Sequence, residues 1–341
     1  MQYLFQHPFP IPWLLADLLT LLVTLLVLVF IVRKSKHPAV ALLECFGFVF
    51  LYASIYENFA VVQGWYVYGR SLLMIGDVPL SVPLIEMDVL VTGLWLLEKM
   101  GIPDWCKPFI VGLFGMLQDF SLDPLTVRQV FTVNGVTSGR WTWLLPSGAA
   151  NIYNVPVYNF PGWMLIMLYA SAWLLLGRWW FRRSGYKPAV GYAYPLAAIL
   201  LALLTMISPL SQFLLWLAPF GTKGSNAEWV MLAFHLVFPA ILLAVFWRGR
   251  MKSRLSFTDS LPIFAVAVLF HLSDILFTIA NGFTNILWLV LTASLIHIGL
   301  LGLIAFVSRN APALQDEVLF EPQKTFAHRH IPERNTGRVA E

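Results

Sequence analysis

A succession of long apolar runs constrains this chain more than any single motif in it. Of its 341 residues, 59% are apolar and only 12% are charged, where a soluble domain carries about a quarter charged residues. A hydrocarbon layer of about 30 Å takes roughly 20 apolar residues wound as a helix. Nine stretches meet or approach that length, at about 11–32, 39–62, 82–97, 108–122, 160–180, 190–217, 229–247, 260–280 and 284–307. The third and fourth are short and carry acids. The sixth is long and holds Pro195, which can start a helix, and Pro209, which can kink one. The expected fold class is therefore all-α, a polytopic transmembrane helix bundle of about nine spans. Residues 1–308 would form the transmembrane domain, and 309–341 a polar, weakly ordered tail. The first run has full spanning length and no basic flank, so no cleavable signal peptide is expected.

Lys and Arg set the orientation. Numbering the spans in order, one set of connections and the tail holds 18 of them, including Arg33, Lys99, Arg183, Lys187, Arg250 and Arg309. The opposite set holds 4, namely Arg70, Arg128, Arg140 and Lys223. The positive-inside rule then puts the N-terminus outside and the tail in the cytoplasm. The net charge of +4 reports topology and is no signal for nucleic acid. Cys45 and Cys106 offer no disulfide framework and no CxxC pair. The seven histidines are dispersed, and HExxH, GxGxxG and P-loop patterns are missing, so neither a metal nor a redox cofactor is expected.

This orientation gathers the polar residues. Glu57 falls near the outer end of span two, followed by Trp65, Tyr66 and Tyr68. Glu86 and Asp88 open span three, and Asp119 and Asp123 close span four. A segment rich in Trp, Tyr and Asn follows, with Trp141, Trp143 and Tyr153, and re-enters the membrane at Asn159 and Trp163. His271 and Asp274 share one face of span eight. Ionisable groups inside a bilayer are costly and default to a functional hypothesis. Plainer readings stand beside it. Asp123-Pro124 can simply end a helix. The tryptophans and tyrosines can form an interfacial belt. His271 and Asp274 can be an interhelical hydrogen-bond pair, and Glu44 a snorkelling or paired carboxylate.

At these residues the chain resembles a family of integral-membrane carotenoid-biosynthesis proteins of the bisanhydrobacterioruberin hydratase and γ-carotene 1′-hydroxylase type. The resemblance rests on Glu57 with Gly64-Trp65-Tyr66-Val67-Tyr68, on Asp119 to Pro124, on Trp141-Thr142-Trp143 and on Val155 to Trp163. It covers roughly residues 44 to 175. The segment between Pro124 and Trp141 is longer than the family pattern, and Asn154 stands where that pattern has Gly. The resemblance implies a multi-pass protein of the cell membrane that hydrates an end double bond of an acyclic carotenoid taken from the lipid.

Such a hydration needs a proton on carbon, a tertiary carbocation, and water. A carboxylic acid kept neutral by apolar surroundings can donate, and a second carboxylate can deprotonate the water. Asp119 and Asp123, one helical turn apart, suit that pair, with Glu57 as the alternative donor. Trp141, Trp143, Tyr153, Trp163, Tyr66, Tyr68, His271 and Asp274 are the candidate substrate-binding residues, and Asn159 can orient water. Two other readings remain, a transporter or channel and an accessory membrane protein. Single cysteines placed at Ser138 and Ser184 are expected to label from opposite sides of the membrane with an impermeant reagent. Labelling of both from one side overturns the orientation.

Overall fold

A computed structural model describes residues 10–133, 135–216 and 226–312. Most of the tail expected at 309–341 therefore lies outside the described residues, as do Lys223, His7, His328 and His330. Ten helices carry the fold among the described residues. They are α1 (Ile11–Lys34), α2 (Pro38–Val62), α3 (Ser81–Lys99), α4 (Lys107–Thr126) and α5 (Asn159–Arg183). They continue as α6 (Pro188–Met206), α7 (Pro209–Trp216), α8 (Ala227–Trp247), α9 (Phe257–Ala280) and α10 (Thr284–Ser308). Seven of them, α1, α2, α5, α6, α8, α9 and α10, are long and apolar enough to cross a membrane. The chain is a polytopic helical membrane protein.

The two short acidic segments, α3 and α4, form the middle of the bundle. Both are buried along almost their whole length. Their acids thus face protein, the setting in which a bilayer protein can hold them. The expected sixth span divides in two. Pro188 opens α6, Pro195 lies inside it, and the helix stops at Met206. Pro209 lacks the N–H that would reach the Thr205 carbonyl. The hydroxyls of Ser208 and Ser211 serve that carbonyl instead, at 2.6 and 2.9 Å.

Short antiparallel strands cover the end of the bundle that carries the acids. Between α2 and α3 lie β1 (Tyr66–Tyr68), β2 (Met74–Ile75) and β3 (Val78–Pro79). Between α4 and α5 lie β4 (Val130–Val133), β5 (Val136–Gly139), β6 (Trp141–Trp143), β7 (Asn151–Ile152) and β8 (Val155–Pro156). β1 pairs with β6, matching Tyr66 to Trp143 and Tyr68 to Trp141. Side chains alternate along a strand, so the Y-x-Y and W-x-W patterns put four aromatic rings on one face. Gly69 ends β1 where a Cβ would stand 2.3 Å from the Gly139 carbonyl oxygen and 2.8 Å from the Trp13 ring.

Two helices contain π turns, Phe48–Ala53 in α2 and Ala265–Leu269 in α9. Helices α4 and α5 touch backbone to backbone. A Cβ on Gly112 would lie 2.6 Å from Met164 Cγ and 2.9 Å from its carbonyl oxygen, and small residues allow this approach.

Buried polar ties fix the remaining helices. Ser81 donates to Asp17 at 2.8 Å and Thr24 to Asp88 at 2.8 Å, joining α1 to α3. Glu44 of α2 is the paired carboxylate of the two readings open for it. Arg178 of α5 holds it from Nε at 2.9 and 3.2 Å and from Nη2 at 2.6 Å, and Tyr194 of α6 donates at 2.6 Å. At the same end Lys107 bridges Glu98 and Asp104. Removing one partner of a buried pair leaves a bare charge and costs about 3–5 kcal/mol. Arg178→Met is therefore expected to lower unfolding stability in detergent by that order, and Glu44→Gln added to it to restore most of the loss. An additive double variant would show that the pair does not hold the helices.

Candidate functional site

α4 offers two polar faces. Asp119 and Asp123, four residues apart, point toward the start of α5, whereas Gln118 and Ser121, three apart, lie around the helix from them. The helix runs through Pro124 to Thr126, and both aspartates are fully buried. Asp123 is therefore not the exposed terminator that its neighbouring proline permits. Asn159, the first residue of α5, donates through one Nδ2 to Asp119 Oδ2 at 2.7 Å and to Asp123 Oδ2 at 2.6 Å. The two carboxyl groups are themselves close enough to hydrogen-bond.

Glu57 enters from α2. Tyr66 and Tyr68 both donate to its Oε2, at 2.5 and 2.6 Å. Asp119 and Asp123 both feel its charge, as does Glu86 of α3. Glu57, Glu86, Asp119 and Asp123, from α2, α3 and α4, are all buried. Several buried polar atoms of α3, α4 and β6 have no partner among the described residues. They are Oδ1 of Asp119 and of Asp123, both oxygens of Glu86, the side-chain amide of Gln118, and the indole N–H groups of Trp141 and Trp143. A buried polar atom left unpaired costs a few kcal/mol (about 1–3), so these atoms are available to a water or a substrate oxygen.

The aromatic strands close over this cluster. Trp143 packs edge-on to Tyr66 at 4.6 Å, and Trp141 lies 4.8 Å from Tyr68. Trp141 and Trp143 are only 5% and 9% exposed, so they line protein and do not form an interfacial belt. Tyr68, Trp141 and Trp163 share the wall of a cavity of about 20 Å³ with Ser81, Leu122 and Arg140, enough for about one water. Trp143 is not on that wall. Arg140 reaches Asp17 at 3.4 Å. Burial holds its guanidinium below the ordinary value, and Asp17 acts in the opposite direction.

Three expected residues sit apart from the carboxyl pair. Tyr153 is half-buried on the α10 side, where its hydroxyl accepts from Trp288 Nε1 at 2.6 Å and its ring stacks under Arg128. Its backbone is left-handed, at φ 54°. His271 and Asp274 face Ser121 instead, within 2.9 and 2.7 Å of its hydroxyl. Sequence reasoning missed Ser121, Gln118 and Asp17. The signal was present, since each is a polar residue inside an apolar run, but a lone Ser or Gln in a helix more often bonds its own backbone. Among the described residues, no group of three or more His, Cys, Asp or Glu side chains is arranged to hold a metal ion.

Burial, followed by the charge of Glu57, pushes the Tyr66 and Tyr68 phenols well above their ordinary value. Both therefore remain donors to Glu57 throughout the neutral range. Their contribution to stability is complete below the ordinary phenol value and falls as pH rises toward the raised ones. Ultraviolet titration of tyrosinate up to about pH 10 is expected to give the same signal for the wild type and for Tyr66→Phe/Tyr68→Phe. A smaller signal in the variant would mean that the two phenols are solvated. Comparison with protein-family models, with curated proteins and with solved structures finds no match for this chain.

Proposed function

We propose that this chain adds water to an end double bond of an acyclic carotenoid, as a multi-pass protein of about nine spans in the cell membrane, with the acid cluster in the outer half. The observation that carries this reading is the buried Asp119–Asn159–Asp123 arrangement, whose neighbour Leu122 on α4 lies on the wall of the aromatic cavity. Two carboxyl groups this close share one proton between them. The protonated member gives its proton to the less substituted carbon of the trisubstituted alkene, which leaves the cation on the tertiary carbon. The other takes a proton from the water that adds to the tertiary cation. The pair ends with the proton it began with, so no redox cofactor or metal takes part.

The protein supplies the rest of the step. Asn159 holds the two carboxyl groups in register through one amide nitrogen. The faces of Tyr68, Trp141 and Trp163 stabilise the cation, by about 2 kcal/mol where water is excluded. Glu57, held by two phenols, is the second candidate donor. The substrate partitions from the lipid and needs a lateral opening between helices. A membrane transporter is the second reading. It is favoured by the polar path that continues from Asp274 through Ser121 to His271.

Expression beside acyclic carotenoid precursors, followed by pigment analysis, tests the proposal. Hydroxylated product is expected, with its oxygen taken from ¹⁸O-labelled water. Asp119→Asn and Asp123→Asn are each expected to lower product formation by about 10²–10⁴-fold while the protein stays folded and inserted. Oxygen derived from O₂, or full activity in the double variant, overturns the reading.

A further inference from the structure

A second hydrogen-bonded chain runs along the seam of α4, α9 and α10. Ser121 Oγ donates to Asp274 Oδ2 at 2.7 Å and lies 2.9 Å from His271 Nδ1. The opposite ring nitrogen, His271 Nε2, lies 2.9 Å from His297 Nδ1. All four side chains are buried. One donor sets the direction of the whole chain. The Ser121 hydroxyl has a single proton, and its contact with Asp274 is shorter than its 2.9 Å contact with the Gln118 carbonyl. With that proton on Asp274, Ser121 accepts from His271 Nδ1–H. His271 Nε2 is then an acceptor, and His297 Nδ1–H is its donor.

At one end of the chain stands the buried Asp274 carboxyl. His297, stacked on Phe114, lines a separate cavity of about 20 Å³ with Leu96, Ile263 and Leu301, again room for about one water. Leu96 lies near the end of α3, and Ile263 near the start of α9, away from Asp274. This cavity therefore extends toward the basic end of the bundle. Its wall includes Val266 and Ala267 of the second π turn, and π turns recur at functional sites.

We propose that His297, His271, Ser121 and Asp274 form a proton relay between the buried Asp274 carboxyl and the cavity beside His297. An interhelical clamp needs only one hydrogen bond. A relay needs what is found, an unbroken series in which each inner group both donates and accepts. Solvent hydronium gives a proton to His297 Nε2, and Nδ1–H passes to His271 Nε2. The His271 Nδ1 proton moves to Ser121 Oγ, and the original Ser121 proton moves to Asp274 Oδ2. Each inner group gains and loses one proton, Asp274 gains one, and the hydronium becomes water. The reverse sequence resets the tautomers. Such a path lets Asp274 exchange protons while an apolar substrate occupies the neighbouring site, and it holds whether the Asp119–Asp123 pair hydrates an alkene or passes a solute.

The test needs no carotenoid. The full chain in liposomes is followed by time-resolved infrared spectroscopy after a pH jump, with the Asp274 carboxyl band assigned by its loss in Asp274→Asn. Ser121→Ala and His297→Gln are expected to slow protonation of Asp274 by about 10²-fold. Ser294→Ala is expected to leave it unchanged, because Ser294 lies 3.0 Å from His271 Nδ1 but off the path. Helical circular dichroism shows which variants remain folded, and Ser121→Ala, the smaller change, decides alone if His297→Gln does not. Wild-type kinetics in the folded variants overturn the relay. So does a wild-type protein that shows no Asp274 band at any pH at which the fold survives.

Discussion

One side-chain amide, that of Asn159, holds together the acidic end of this protein. Two carboxyl groups on one helix face repel in a medium without water, unless a donor or a shared proton lies between them. Asn159 supplies that donor, and only because α5 begins beside α4. The contact at Gly112 sets the distance between the two helices. The hairpins β4 to β8 set the point at which α5 starts. A larger residue at position 112 would separate the carboxyl groups from their amide without touching either.

The strands between the helices then act as a lid. Strand β1 belongs to the loop after α2, and β6 to the loop after α4. Their pairing ties Glu57 to the Asp119–Asp123 pair through aromatic rings and not through another charge. The lid is apolar toward the cluster except for two phenols and two indole N–H groups. It thus offers an alkene a face of high electron density, and it confines the polar chemistry to the floor beneath.

The long amphipathic order of the chain was legible because membrane spans obey length and hydropathy alone. The grouping of Glu57, Asp119, Asp123 and Asn159 followed from the direction of each span. The division of the sixth span was harder to see. It depends on two serine hydroxyls replacing the hydrogen bond that Pro209 cannot make. Tyr153 was drawn to the site by its neighbours in sequence, yet a left-handed backbone sends it toward Trp288. Ser121 was passed over because nothing in its own neighbourhood shows that α9 and α10 bring two histidines to it. Such contacts between distant helices leave no periodic trace in a single chain.

The π turns give the bundle a fragile phase. Each adds one residue to a turn, and each lies shortly before a functional group, Phe48–Ala53 before Glu57 and Ala265–Leu269 before His271. Regularising such a turn without removing a residue would rotate everything beyond it by about 100°. Glu57 would swing away from its two tyrosines, or His271 away from Ser121, although every side chain involved would still be present. The orientation of both groups therefore depends on the π turn persisting upstream, and a change that made the turn regular at the same residue count would be more disruptive than many substitutions within the site.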